Sequence, residues 1–344
     1  NRKICCISDI HLGIKQNSST WHKILIDWAH WLESELRQHG IIDIMIGGDL
    51  FHDRDNIAVN SLHVATDFLE IFREYNIVMI TGNHDCFYKD TSLVNSLSIF
   101  KGWSNITIID KYLQTTIYGK TVSFAPWGTS INDIGNCDLV FGHFEFENFK
   151  MNNFKICDHG DNPDDILIKS QKIISGHFHL RDHRKYKNGE ILYLGNPFQM
   201  DFGDAGSTKG YYILDFDDLS TTFYENKISP QHIRLPLSEL IKYDGITEEL
   251  KFLLQDNIIK LIIDRNIQTD DLDIIITKLN CLRPLNLNVD YDINYNKFSV
   301  DDLNYQYSGV DYETAITEFV NMLDINNKPE VIKYTTELYK LCKK

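Results

Sequence analysis

The stretch Ile44-Met45-Ile46-Gly47-Gly48-Asp49-Leu50-Phe51-His52-Asp53-Arg54-Asp55, IMIGGDLFHDRD, decides how the chain is read. The largely apolar run from Ile41 to Ile46 predicts a buried strand. Two glycines follow, and glycine lets the backbone turn sharply. Asp49 is therefore expected on a loop at the carboxyl end of a strand, where open α/β sheets keep their ligands. One acid at one strand end decides little; its weight comes from strand ends like it elsewhere.

Upstream, Ile4 to Ile7 predicts a strand that runs into Ser8-Asp9-Ile10-His11. Trp21, Ile24, Leu25, Trp28, Trp31 and Leu32 recur at helical spacing and predict an amphipathic helix over Trp21–Leu36, with Gly40 at its C-terminal end. Downstream, Leu62, Ala65, Leu69 and Phe72 mark a second helix. The strand Ile77 to Ile80 then opens into Thr81-Gly82-Asn83-His84-Asp85. This β-α-β-α-β alternation means an α/β sheet. From Ile106 the pattern changes to short strands: Ile106–Ile109, Thr121–Ala125, Leu139–Phe141, Ile173-Ile174, Ile191–Leu194 and Tyr211–Phe216. Gly142-His143-Phe144-Glu145 and Ser175-Gly176-His177-Phe178-His179 follow two of them. Lys227 to Pro236 reads as a linker. Beyond it come a strand at Ile258–Ile263, a helix around Leu272–Leu279, strands near Leu285–Tyr291 and Lys297–Val300, and two helices with apolar faces, Tyr312 to Leu323 and Val331 to Leu341. Pro329 suits the first turn of the second.

The totals bound the function. A 344-residue chain with 43 % hydrophobic residues has a real core. A net charge of −15 argues against binding nucleic acid by its own charge alone, since that needs Lys and Arg against phosphates. Metal ions or a basic partner would have to supply the positive charge. Seven scattered cysteines without a Cys-x-x-Cys pair indicate a reduced, cytoplasmic setting. No apolar run reaches the ~20 residues of a membrane span, and a strand at the very start leaves no signal peptide.

Five strand ends carry polar clusters: Asp9 with His11, Asp49, Asn83 with His84, His143, and His177 with His179. Strand ends of one sheet converge in space. His, Asp and Asn there suit a site for two transition metals with nitrogen and oxygen ligands. Asp-x-His and His-x-His are expected to place two ligands on one side of an extended segment. Such a dinuclear site holds a phosphoryl group and activates water for in-line attack. Any one cluster also reads as turn or cap chemistry; all five in this order do not.

In that order, Asp-x-His, Gly-Asp, Gly-Asn-His-Asp, Gly-His and Gly-His-x-His resemble the calcineurin-like metallophosphoesterase superfamily, over roughly Ile4 to Glu225. The resemblance implies an α/β fold of two packed mixed β-sheets flanked by helices. It implies one metal held by Asp9, His11 and His179, a second by Asn83, His143 and His177, and Asp49 bridging them. It makes His84 the residue facing the scissile phosphate, with Asp85 orienting it.

Gly-Asp-Leu-Phe with His52-Asp53-Arg54 is similar to SbcD-type nuclease subunits of double-strand-break repair complexes. The run GNPFQMDFGDAGSTKG, Gly195 to Gly210, resembles that family's Gly-Ser-Pro, Phe-Gly-Glu, Lys-Gly stretch, with Asn196 for the Ser and Asp204 for the Glu. In length and in its Phe-Gly-His-Phe-Glu and Ser-Gly-His-Phe-His runs the chain most resembles tailed-phage recombination exonuclease subunits. The resemblance implies a nuclease domain over 1–228, a capping, DNA-binding domain over 235–305, and a helical segment over 310–344 that docks on an SMC-like ATPase. It also implies two Mn²⁺ ions (Mg²⁺ as alternative), 3′-to-5′ exonuclease action on duplex DNA, endonuclease action on single strands, and a homodimer. The setting would be the host cytoplasm if the chain is phage-encoded. In many relatives a His at the position of His52 assists exonuclease action; the other reading is a solvated loop residue.

Arg181, Arg184, Lys185 and Lys187 follow His179. A hairpin there would lay positive charge beside the metals to meet DNA phosphates; a solvated turn at Lys187-Asn188-Gly189 fits as well. After Ser229 acids outnumber bases, so the ATPase or a dimer is expected to supply much of the DNA affinity. Two rivals stand beside the nuclease: a phosphatase or cyclic-nucleotide phosphodiesterase on the same fold, and a non-catalytic scaffold. The intact ligand set disfavours the scaffold.

Overall fold

The computed structural model describes residues 2–89, 91–151, 155–243, 245–291, 316–317, 320–321 and 327–342. The chain divides into two compact units, Asn1–Tyr291 and Asp292–Lys344.

Two six-stranded mixed sheets form the body of the first unit. One contains β1 (Lys3–Ile7), β2 (Asp43–Ile46), β3 (Asn76–Ile80) and β4 (Ile106–Ile109), all parallel. The other is built on β5 (Leu113–Ile117), β6 (Lys120–Ala125), β7 (Leu139–His143), β8 (Lys172–Gly176), β9 (Asp182–Tyr186) and β10 (Gly189–Tyr193), in the order β5-β6-β7-β8-β10-β9. The chain then returns to the first sheet with β11 (Gly210–Asp215) and β12 (Thr221–Glu225), giving the order β12-β11-β1-β2-β3-β4. β1 and β11 are antiparallel, with Lys3 opposite Asp215.

The layers follow from the two-residue period of strands. Ile4, Cys6 and Met45 face Phe124, Phe141, Ile174 and Leu192 of the other sheet, which makes the central core. Cys5, Ile7, Ile44 and Ile46 turn the other way, onto the helices Ser19–Gln38 and Val59–Ile71. Trp28, fully buried, stacks on Phe68 between those helices at 6.3 Å. Burial of each such side chain contributes about 1.5–3 kcal/mol. Val140, Ile173, Ile191 and Tyr193 form a third core on the outer face of the second sheet with Phe146, Phe149 and Ile166.

The segment read as a linker is one only in part. Its end forms β13 (His232–Pro236), the first strand of a small parallel sheet with β14 (Ile258–Ile263) and β15 (Asn286–Tyr291). That sheet packs its own core with the helices Glu248–Leu254 and Thr269–Cys281. It is joined to the body where the His232 N–H donates to Gln199 Oε1 at 2.6 Å and Arg234 donates to the Phe202 carbonyl. The strand expected at 297–300 and most of the helix expected over 312–323 lie outside the described residues. The last helix runs Lys328–Cys342. Among the described residues no helix is long and apolar enough to cross a membrane, and the described cysteine side chains are free thiols.

Candidate metal centre

The carboxyl ends of β1, β2 and β3 from one sheet meet those of β7 and β8 from the other. The loops after β1 and β2 run side by side: Asp9 N–H donates to Gly48 O at 3.1 Å, His11 N–H to Asp49 O at 3.0 Å, and His52 N–H to Leu12 O at 2.8 Å. Asp9, His11 and Asp49 have φ of 55°, 51° and 54°, and His177 has 94°. Ligand pairs were expected on extended segments; instead Asp9, His11 and His177 sit in left-handed backbone, uncommon for residues with a Cβ. The side chains share a site because the loops turn, not because strand positions alternate. Two glycines permit the approach. A Cβ at Gly48 would lie 2.6 Å from His143 Nδ1, and one at Gly82 would lie 2.1 Å from Asp49 Oδ1.

All seven expected ligands converge. Ligand atoms of Asp9, His11 and His179 lie within 4.8 Å of one another, as do those of Asp9, Asp49 and His143. Asn83 Oδ1 is 3.0 Å from His143 Nε2 and 2.9 Å from His177 Nδ1. Asp49 Oδ2 stands between the two groups, 3.7 Å from His11 Nε2 and 3.6 Å from His143 Nε2.

Tautomers test whether a cation fits. His143 Nδ1 is 2.7 Å from the Gly47 carbonyl, which can only accept, so the proton is on Nδ1 and the Nε2 lone pair points at Asn83 Oδ1. Two electron pairs thus face each other at 3.0 Å, an arrangement a cation turns into coordination. His11 Nε2 and His179 Nε2 also approach each other, at 2.9 Å. Nitrogen and oxygen donors of this mix suit divalent transition metals.

The electrostatics agree. Burial pushes Asp9 up to about 7, Asp85 up to about 6 and Asp49 well above the usual carboxylate range, Asp9 and Asp85 adding repulsion at Asp49. Burial lowers His11 and His143 far below the ordinary histidine value, and His179 to about 4. Metals bind the deprotonated forms. Below about 7 protons therefore compete at the carboxylates, while His11, His143 and His179 are already neutral. The affinity for a divalent ion is expected to rise as the pH climbs through about 7, where Asp9 loses its proton. Calorimetry across that range, in buffers of different ionisation enthalpy, reads the released protons. An affinity independent of pH between about 5 and 8 would contradict the assignment.

Two expectations need correction. Asp85 does not orient His84. Its oxygens accept from the backbone N–H groups of Asp49 (2.7 Å), Leu50 (3.0 Å), Phe51 (3.3 Å) and Gly82 (2.9 Å), so it grips the Asp49 loop. His84 is held instead by Nδ1 donating to the His52 carbonyl at 2.6 Å and by its N–H donating to Asp49 Oδ1 at 2.8 Å. The His52 ring stacks on His84 at 5.6 Å, with Nδ1 3.5 Å from His11 Nδ1. The second correction concerns the basic cluster. The hairpin β9–β10 exists, but it carries Lys185 and Lys187 toward the amino end of β8, opposite the ligands: Lys185 pairs with Glu190, which pairs with Lys172. Arg181 donates to Tyr212 and Thr208 and lies over Phe223; Arg184 pairs with Asp182 at 2.7 Å and lies over Phe149.

Sequence reasoning assigned no role to two supports. Glu145 Oε1 is 3.6 Å from His177 Nε2, and hydrogen bonding from His177 holds its carboxyl below the usual range. This is the carboxylate–histidine pairing that fixes a metal ligand. The only signal was His143-x-Glu145. Glu145→Ala is expected to weaken binding of one of two ions by about 10–100-fold, with Glu145→Gln recovering part; equal affinities for both ions in all three proteins would remove the role. The other support is a buried pair. Lys209 Nζ donates to Asp204 Oδ1 and to the His179 carbonyl, both at 2.7 Å, and Asn196 Nδ2 donates to Asp204 Oδ2 at 3.2 Å.

With this geometry in hand, the chain belongs to the calcineurin-like phosphoesterase family, whose description matches residues 2–263. That family implies a divalent metal ion, and the clustered His and Asp groups fit one. Among similar proteins, "Exonuclease subunit 1" of Enterobacteria phage T4 is 24 % identical over 98 % of both chains. A subunit of the nuclease SbcCD from Staphylococcus epidermidis is 23 % identical over 72 % of this chain and 74 % of its own. "DNA double-strand break repair protein Mre11" of Nanoarchaeum equitans is 22 % identical over 62 % of this chain and 66 % of its own.

Proposed function

We propose that the protein is a metal-dependent DNA nuclease that hydrolyses phosphodiesters at a dinuclear centre. The observation that carries this reading is Asp49 Oδ2, placed almost evenly between His11 and His143. Asp9, His11 and His179 would hold one ion and Asn83, His143 and His177 the other, with Asp49 shared between them. Bound there, two divalent ions supply Lewis acidity toward the phosphoryl oxygens and an activated water. Mn²⁺ is the proposed native ion, with Mg²⁺ the alternative.

The chain's own residues do the rest. His84, with its proton fixed on Nδ1 by the His52 carbonyl, presents Nε2 to the phosphoryl group. Burial lowers its pKa. An arriving anion favours the imidazolium, which then donates a proton to the leaving oxygen. His52, stacked on His84, sets that ring and assists exonuclease action.

The similarity to an exonuclease subunit along the whole chain, and to a DNA double-strand break repair protein over part of it, supports DNA as substrate; 3′-to-5′ action on duplex ends and endonuclease action on single strands, in recombination and end processing, are proposed with it. The small sheet after residue 231 is the proposed capping domain. In the last helix Tyr334 and Leu338 are exposed, and this face is proposed to dock on an SMC-like ATPase, the nuclease acting as a homodimer. The test is cleavage of duplex and single-stranded DNA with Mn²⁺ or Mg²⁺, with and without the ATPase, beside small phosphomonoesters and cyclic nucleotides. Preference for the small esters, with DNA left intact under every condition, would overturn the reading in favour of a phosphatase or phosphodiesterase.

A further inference from the structure

The loop that leaves β7 carries a second group of metal-binding atoms, apart from the seven ligands above. A carboxylate oxygen of Glu145, Cys157 Sγ and a ring nitrogen of His159 all lie within 4.8 Å of one another. The chain brings them together by folding Cys157 back onto Phe149 and Asp161 back onto Glu145. The Cys157 N–H donates to the Phe149 carbonyl at 2.8 Å, the Asn148 N–H to the Cys157 carbonyl at 2.7 Å, and the Asp161 N–H to the Glu145 carbonyl at 2.8 Å. Gly160, at φ 103°, permits the return, since a Cβ there would lie 2.2 Å from the Glu145 carbonyl oxygen.

The imidazole of this group is oriented from behind. His159 Nδ1 is 2.8 Å from Asp158 Oδ1, and an ionised carboxylate only accepts, so the proton is on Nδ1. Nε2 then points at Glu145 Oε1, 3.3 Å away. There it holds either a proton shared with Glu145 or a metal ion. A carboxylate behind the ring is the arrangement that orients metal-ligating histidines. Cys157 is fully buried in the core that holds Phe146 and Phe149, whereas Asp158 and His159 are exposed. The group therefore has a protein-facing sulfur and a side open to solvent, by which an ion can enter.

We propose that Glu145, Cys157 and His159 form a third metal site, separate from the dinuclear centre, for a thiophilic divalent ion such as Zn²⁺. One thiolate, one imidazole and one carboxylate make a three-ligand zinc set, with the fourth position left to water. Tetrahedral zinc holds nitrogen and oxygen ligands about 3.3 Å apart, the separation of His159 Nε2 from Glu145 Oε1. The sulfur reaches its place by a shift on the order of 1 Å or less. When the ion binds, the thiol proton leaves to solvent, and Sγ gives up the hydrogen bond it now donates to the His159 carbonyl at 2.7 Å. The two sites differ in softness. The dinuclear centre offers only nitrogen and oxygen, whereas a thiolate selects zinc over manganese or magnesium. Glu145 links them, because its Oε1 also lies 3.6 Å from His177 Nε2. An ion in the third site thus fixes the carboxylate that supports His177. None of this depends on which ester the centre cleaves.

The test titrates the metal-free full chain with Co²⁺, whose thiolate complexes absorb light by sulfur-to-metal charge transfer. That absorption is expected to grow in with one Co²⁺ per chain and to vanish when Zn²⁺, which binds such ligands more tightly, displaces it. C157S and H159A are each expected to lose the absorption and to bind one ion fewer than the wild type by elemental analysis, with the ions of the dinuclear centre kept. H159A changes an exposed ring, so it decides the matter even where C157S fails to fold. No thiolate absorption in the wild type under excess Co²⁺ would reduce His159 and Glu145 to an ion pair and overturn the site. Absorption that survives in either variant would also overturn it, pointing to another cysteine or to a lone thiol. Each of these failures leaves the dinuclear centre and the nuclease reading untouched, since neither uses Cys157 or His159.

Discussion

Asp49→Asn, which keeps the size of the side chain and tolerates its left-handed backbone, is expected to lose both ions together and to slow hydrolysis by at least about 10³-fold. The magnitude follows from several kcal/mol of charge stabilisation supplied by bound ions, at about tenfold per 1.36 kcal/mol. Asp49 Oδ2 lies 3.7 Å from His11 Nε2 and 3.6 Å from His143 Nε2, so its loss is expected to reach both sites. The same change removes an acid whose ionisation burial, and then Asp9 and Asp85, disfavour in the metal-free protein. The metal-free variant should therefore melt no lower than the metal-free wild type, which separates a ligand from a folding residue. Two ions still bound in the variant, by elemental analysis, would refute the shared role.

His84→Ala should behave in the opposite way. No lone pair of His84 is needed by either ligand group, so both ions should remain, while hydrolysis falls by about 10²–10⁴-fold, the range for a lost general acid. A leaving group that needs no protonation, such as a nitrophenolate, should recover much of the rate. Wild-type DNA cleavage by the variant would show that the residue beside the phosphate is another one. Asp85, in contrast, is now expected to act through the Asp49 loop, since four backbone N–H groups occupy it.

The strand ends were legible because each follows an apolar run and most involve glycine, and these signals are local. The parallel strands β1 to β4, β7 and β8 emerged for that reason. The edge strands β5, β9 and β12 were not separately identified: Leu113–Ile117 and Thr221–Glu225 are half polar, and Asp182–Tyr186 is mostly charged. Their pairing is decided by neighbours distant in sequence, which no periodicity reports. The left-handed Asp9, His11 and Asp49 were hidden for the same reason, because loop contacts impose that backbone. The substitutions in the Gly195–Gly210 run become intelligible together. Asn196 is longer than the family's Ser and Asp204 shorter than its Glu; here the two are joined by a hydrogen bond, and Lys209 reaches both Asp204 and the His179 carbonyl.

The antiparallel pairing of β1 with β11 has a consequence for how the chain matures. Lys3 lies opposite Asp215, and the whole second sheet intervenes between them in sequence. Closing so long a loop in an unfolded chain is entropically costly and slow. It becomes easier once β5 to β10 have collapsed and brought the two ends together. Asp9 and His11 hang from β1, whereas His143, His177 and His179 belong to the inserted sheet. The centre is thus complete only once the two sheets have docked, because neither sheet carries all of its residues.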